Sequence, residues 1–210
     1  MRRGVGILFI VTMFAEFCGF GPGGISLANA AFFGQPRALK FQVQRLKLDQ
    51  PAMAPMAHAR FCLQYPGDCK VRPIVFRGGP AKLTEARREQ LRSVNTEVNR
   101  AIRPQANMGG VKAERWLIAP RAGDCNDYAV TKRHQLIAQG WPAHALLLAE
   151  VVIASGEHHL VLVARTDEGD LVLDNLNANI RPWTATRYRW VRVQSPKNPL
   201  FWATLARPAA

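Results

Sequence analysis

Three apolar runs crowd into residues 145–174, and they restrict the fold more than any other feature of the sequence. Ala145 to Ile153, His159 to Arg165 and Leu171 to Asp174 each read as a β-strand. The last two are joined by Thr166-Asp167-Glu168-Gly169-Asp170, a hairpin turn. A further strand covers Tyr188 to Val193. Ahead of them the pattern predicts a helix from about Cys125 to Gln139. Asp124 is a good N-cap with Asp127 three residues on, Gly140 closes the helix and Pro142 follows. A helix followed by antiparallel strands predicts an α+β domain.

Upstream, Leu83, Leu91, Val94, Val98 and Ile102 mark another helix, ended by Pro104. Asn95 and Asn99 share one of its faces. A solvated face is the expectation there, ahead of a site lining. Residues 105–123 form a loop anchored by Trp116 and Leu117, leading straight to Cys125 as a natural site wall. Residues 58–80 hold Pro66, Gly67, Pro73, Gly78, Gly79 and Pro80 and read as loop-rich. Residues 31–57, with Pro36, Pro51 and Pro55, read as an extended N-terminal segment. The first thirty residues have the pattern of a secretory signal: Arg2 and Arg3, an apolar run from Val5 to Phe14, and Ala28-Asn29-Ala30 as a cleavage site. The expected organisation is a signal at 1–30, the extended segment at 31–57 and one domain at 58–210.

Export changes how the four cysteines are counted. Cys18 leaves with the signal. Cys62 and Cys69 can close a short local disulfide loop in an oxidising compartment. Cys125 is left over, as a free reactive thiol or an intermolecular bridge. The net charge of +13 favours anionic partners in the envelope, although a generally cationic, soluble surface explains it as well. No basic cluster carries the aromatics of a nucleic-acid motif, so nucleic acid is not an expected partner. Cys125, His158 and His159 lack the local spacing of a zinc site.

Gly123-Asp124-Cys125-Asn126-Asp127-Tyr128 places a cysteine in the first turn of a helix. Unsatisfied N–H groups and the positive end of the dipole favour thiolate there, and the Cys125 amide can donate to an oxyanion. Trp116, Asn126, Asn175 and the Asn95/Asn99 pair are further candidates around such a site. His158 and His159 point to opposite faces of one strand. Both faces are apolar, so the pattern does not choose the base. Asp174, or its neighbour Asn175, can hold an imidazole tautomer. Asp174 also reads as a turn cap with Asn175 and Asn177.

The run Gly123-Asp124-Cys125-Asn126-Asp127-Tyr128-Ala129, Lys132-Arg133, Gly140-Trp141-Pro142, His159-Leu160-Val161-Leu162, Gly169-Asp170-Leu171-Val172-Leu173-Asp174-Asn175 and Pro182-Trp183 resembles the bacterial transglutaminase-like cysteine proteinase family. The resemblance covers roughly residues 58–190. It implies a papain-like, transglutaminase-type fold with the nucleophile at a helix N-terminus packed on an antiparallel sheet. It also implies a triad of Cys125, His159 and Asp174, which settles the histidine register. The implied function is an exported, periplasmic or secreted, cysteine peptidase cutting a surface protein such as a large adhesin. The resemblance extends to a regulatory membrane protein as partner. Amide transfer by the same triad and a silent, basic envelope-binding module are the alternatives. Calcium, held by acidic residues such as Asp124 and Asp127, is a cofactor the family implies. Asn126 stands where the family carries an acid, so weak or absent calcium dependence is the expectation, with no cofactor strictly required.

Overall fold

The computed structural model describes residues 43–71 and 79–206. The predicted signal, Cys18, residues 31–42 of the extended segment, Pro73 and Gly78 lie outside the described residues. All the elements of the fold belong to one compact unit, Phe41–Ala210.

In chain order the elements are β1 (Leu48–Ala52), α1 (Met56–Gln64), α2 (Glu85–Ala101), β2 (Arg103–Pro104), α3 (Gly110–Ala113) and β3 (Ala122–Gly123). Then come α4 (Cys125–Ala138), β4 (Leu146–Val152), β5 (His158–Thr166), β6 (Gly169–Leu173), β7 (Arg181–Pro182), β8 (Arg189–Gln194) and β9 (Trp202–Leu205). Seven strands form one sheet in the order β1-β9-β8-β4-β5-β6-β7, antiparallel at every described pairing. The predicted α+β architecture is the one observed. The β5–β6 hairpin turns at Asp167-Glu168, with Gly169 at φ 127°, a backbone conformation that suits glycine.

The helices cover one face of the sheet. Leu91, Val94 and Val98 of α2 and Ala129, Val130 and Leu136 of α4 pack on Leu146, Leu148, Leu160, Leu162 and Leu173. The opposite face gathers Val151, Val161, Val163, Val172 and Val193, with no helix residue in the cluster. Among the described residues no helix is long and apolar enough to cross a membrane.

One region departs from expectation. Residues 56–64, most of which read as loop in the sequence, form α1. Pro55 precedes its first turn and the segment buries Ala57, His58 and Phe61. His58 hides the pattern, because a polar residue occupies an apolar position. Burial, aided by the Arg133 charge, pushes the His58 pKa down to about 4, so the ring stays neutral and accepts the Trp202 Nε1–H at 3.3 Å. Cys62, in the last turn of α1, is disulfide-bonded to Cys69 beyond the helix. The loop they close docks on α4, where Arg133 donates to the Asp68 carbonyl at 2.7 Å and His134 Nδ1 lies 2.9 Å from Asp68 Oδ2.

Candidate active site

The parallel pair β2–β3 delivers the chain to the start of α4: Arg103 N–H donates to the Arg121 carbonyl and Gln105 N–H to that of Gly123. Asp124 then caps the helix. Its Oδ1 accepts from the Asn126 N–H at 3.0 Å, while Asp127 Oδ2 reaches back to the Asp124 N–H at 3.0 Å, completing a capping box. Such a cap contributes about 1 kcal/mol to the helix, and here it fixes the turn that carries Cys125. The Cys125 N–H takes no part in the box. Glycine is required at 123 for a steric reason, since a Cβ there would lie 2.0 Å from Asp127 Oδ2.

Strand β6 pairs with β5 only from Leu162 to Thr166, so the His158–Val161 stretch of β5 has no β6 partner. The Leu160 N–H lies near enough to the Cys125 sulfur to favour its thiolate. His159 alternates with Val161 and Val163, on the face away from the helices. Both faces of β5 are apolar, which is why alternation could not select the histidine. His159 is buried, and its Nε2 lies 2.8 Å from Asp174 Oδ1. His158 is solvent-exposed and pairs through Nδ1 with Glu150 Oε1 at 2.5 Å.

Asp174 follows directly on β6 and is buried. Its Oδ1 also accepts from the Leu176 N–H at 3.0 Å, and its Oδ2 accepts from the Tyr188 hydroxyl. Burial alone would raise its pKa. The hydrogen bonds from His159 and Tyr188, the His159 charge and the Leu176 N–H outweigh burial and hold the carboxyl below the usual range. An ionised carboxylate only accepts, so His159 Nε2 carries a proton toward it, and Nδ1 is the ring nitrogen not engaged by Asp174. Burial and Asp174 push the Tyr188 pKa up, so the phenol stays a donor.

The cysteine's surroundings oppose the thiolate expected from the helix N-terminus. Burial, with the charges of Asp124, Glu114 and Glu157, pushes the Cys125 pKa up to about 12, against the favourable Leu160 N–H. The resting sulfur is a thiol. Glu114 escapes the sequence reading: its Oε1 accepts from Trp116 Nε1 at 2.9 Å and from Asn126 Nδ2 at 2.7 Å. The only signal for it is an acid in the loop that leads to the nucleophile. Tyr188 has no signal beyond the strand it opens.

Other predicted positions fall as follows. The Trp116 indole is buried and its N–H is engaged by Glu114. Asn175 adjoins Asp174, but the histidine pairs with Asp174; the Asn175 Oδ1 is buried with no hydrogen-bond partner among the described residues. The Asn95/Asn99 face is not solvated. Asn95 is 1% exposed, and the two amides donate to backbone carbonyls of the segment after β6.

The profile of the bacterial transglutaminase-like cysteine proteinases (BTLCP) matches residues 48–210. The chain belongs to this family. The proteinase is thus a cysteine peptidase, a thiol-dependent hydrolase. Among solved structures it is similar to calcium-bound LapG of Legionella pneumophila, at 22% identity over 61% of this chain and 75% of that one, with a TM-score of 0.50. LapG from the same organism also matches at 24% identity over 55% of this chain and 68% of that one (TM-score 0.47), as does its EGTA-treated form over 55% and 66% (TM-score 0.47). No curated protein matches the chain.

Calcium is implied by the family, and the side chains near the proteinase's Cys125 are oxygen donors of the type a hard cation takes. Asp127 is a poor ligand as it stands. Its carboxylate is turned inward, with Oδ1 accepting from the Leu117 N–H at 2.7 Å and Oδ2 from the Asp124 N–H. Burial leads the Leu117 and Asp124 amides and the nearby charges in setting its pKa, which rises to about 6. The donors that fit a cation are the half-buried Asp124, Glu114 and Asn126.

Proposed function

We propose that this cysteine peptidase is exported and cuts a peptide bond in a cell-surface or periplasmic protein, with Cys125 as nucleophile, His159 as base and Asp174 holding the imidazole. The observation that carries the reading is the hydrogen-bonded series Tyr188–Asp174–His159, with the amide of the very next residue, Leu160, near the Cys125 sulfur. The leader pattern of residues 1–30 supports export, and family resemblance supports a surface adhesin as substrate.

In this reading His159 Nδ1 takes the Cys125 proton as the sulfur attacks the substrate carbonyl carbon. The Cys125 N–H, which takes no part in the capping box, donates to the resulting oxyanion. Asp174 stabilises the imidazolium without taking its proton. His159 returns the proton to the departing amine, leaving a thioester on Cys125. Water, deprotonated by the same Nδ1, then hydrolyses the thioester and restores the thiol. The Legionella pneumophila protein was solved with calcium; here Asp124 and Glu114, with Asn126, would hold such a cation weakly. A bound cation offsets the carboxylate charge that opposes ionisation of the thiol.

A substrate-independent test uses p-nitrophenyl acetate. The wild type should release nitrophenol with acetylation located on Cys125 by mass spectrometry. His159→Ala should abolish turnover, and His158→Ala should leave it within about three-fold, as expected for an exposed surface position. Equal losses from the two histidine variants would overturn the assignment of the base.

A further inference from the structure

The Asp174 carboxylate is held on both oxygens, but its position depends also on the backbone that carries it. That backbone leaves the sheet at Leu173 and runs through residues 174–180 before β7. Two side chains from outside the segment hold it. Asn99 Nδ2 donates to the Asp174 carbonyl at 2.9 Å, and Asn95 Nδ2 donates to the Ala178 carbonyl at 3.0 Å. Both belong to α2, one turn apart on the same face, and α2 packs against α4, the helix that begins at Cys125.

The two amides are costly to bury. Asn95 Oδ1 and Asn99 Oδ1 are both buried with no hydrogen-bond partner among the described residues. Reversing either amide would not help, since an oxygen would then face a carbonyl. Leucine has nearly the same shape and would pack this face without stranding an acceptor. Packing alone does not account for asparagine at both positions; donation to the segment carrying Asp174 does.

We propose that Asn99, assisted by Asn95, is a positioning residue: α2 clamps the segment that bears Asp174 and so sets the orientation of His159 toward Cys125. The inference rests on the triad reading above. Asn99 reaches the backbone of the triad acid, while the base and nucleophile sit on β5 and α4. Three elements distant in sequence are thereby fixed in one register. Loss of the clamp frees the carboxylate to turn with its backbone, and the imidazole loses its preferred tautomer and direction.

The test compares wild type, Asn99→Leu and Asn95→Leu by three readouts: p-nitrophenyl acetate kinetics, the low-field proton resonance of His159 Nε2–H, and the thermal midpoint. In Asn99→Leu, kcat should fall about ten-fold, equivalent to roughly 1.4 kcal/mol, with KM unchanged. The low-field resonance should shift or broaden, even where the thermal midpoint is preserved. Asn95→Leu should act in the same direction more weakly. If Asn99→Leu does not fold, Asn99→Ala carries the same comparison, because it removes the donor without adding a charge. Unchanged kcat and an unchanged resonance in a folded Asn99 variant would overturn the clamp. If the wild type itself is not acetylated at Cys125, or shows no His159 Nε2–H resonance, the triad reading fails instead.

Discussion

At the scale of single residues, the arrangement around the sulfur favours restraint over reactivity. The helix N-terminus and the Leu160 N–H draw Cys125 toward thiolate. Burial and three carboxylates draw it back, and they win, since the pKa is pushed up to about 12. Relief must come from removing negative charge or adding positive charge. Glu114→Gln removes one carboxylate while keeping an acceptor for Trp116 and Asn126. It should speed alkylation of Cys125 by iodoacetamide at pH 8 about three- to ten-fold, the effect of half to one pKa unit on the thiolate fraction. Millimolar calcium should speed the wild type in the same direction and the variant less. Equal rates for variant and wild type would show that burial alone sets the thiol. Cys125 and Asp174 stood out from their local patterns, whereas His159 was preferred to His158 only through the family resemblance. Glu114 and Tyr188 were not legible, because they reach the site from residues 12 and 14 positions away from their partners, with no spacing that marks them.

At the scale of elements, local signals and long-range ones separated cleanly. The capping box of α4, the apolar period of α2 and the hairpin at Gly169 are all written within a few residues of one another, and α2, α4 and β4–β6 fall close to where the sequence placed them. Helix α1 was hidden by His58, whose burial makes sense only once Trp116 and Trp202 are known to flank it. The solvated reading of Asn95 and Asn99 failed for the same reason, because their partners lie 83 and 75 residues away. The disulfide belongs to this scale too. It closes a short loop whose Asp68 is tied to α4 through Arg133 and His134. By loop entropy alone, Cys62→Ser should cost about 2.5 kcal/mol, read as a lower denaturant midpoint with an unchanged slope. An equal midpoint in oxidised wild type and variant would mean that the α4 contacts already fix the loop.

For the whole molecule, one buried charge should dominate the dependence of stability on pH between neutrality and about 9, below the range where the Cys125 thiol, held near 12 in the fold, acts in the opposite sense. Lys132 of α4 is 1% exposed, with its ammonium 5.9 Å from the centre of the Tyr128 ring. Burial, partly offset by Asp174, pushes its pKa down from 10.5 to about 7. The unfolded chain keeps that proton to about pH 10.5, while the folded chain gives it up near 7. At this group the unfolded state thus binds more protons across the window, and its contribution to stability rises with pH through it. Lys132→Met should raise the thermal midpoint at pH 7 and below, and flatten the rise between about pH 7 and 9. A variant with the wild-type slope would place the titration elsewhere.

The pairing of β1 with β9, with Leu48 opposite Leu205, has a consequence for the connectivity of the chain. The first and last strands of the sheet are neighbours, so this unit is nearly a closed ring of sequence laid over an open sheet. β1 forms one edge of the sheet with β9 beside it, while α4 packs on β4 and β5 further in. Joining 48 to 205 by a short linker and reopening the chain at the exposed Ser155-Gly156 turn would preserve every strand neighbour. The neighbour relations of the sheet are thus independent of where this unit's chain is opened.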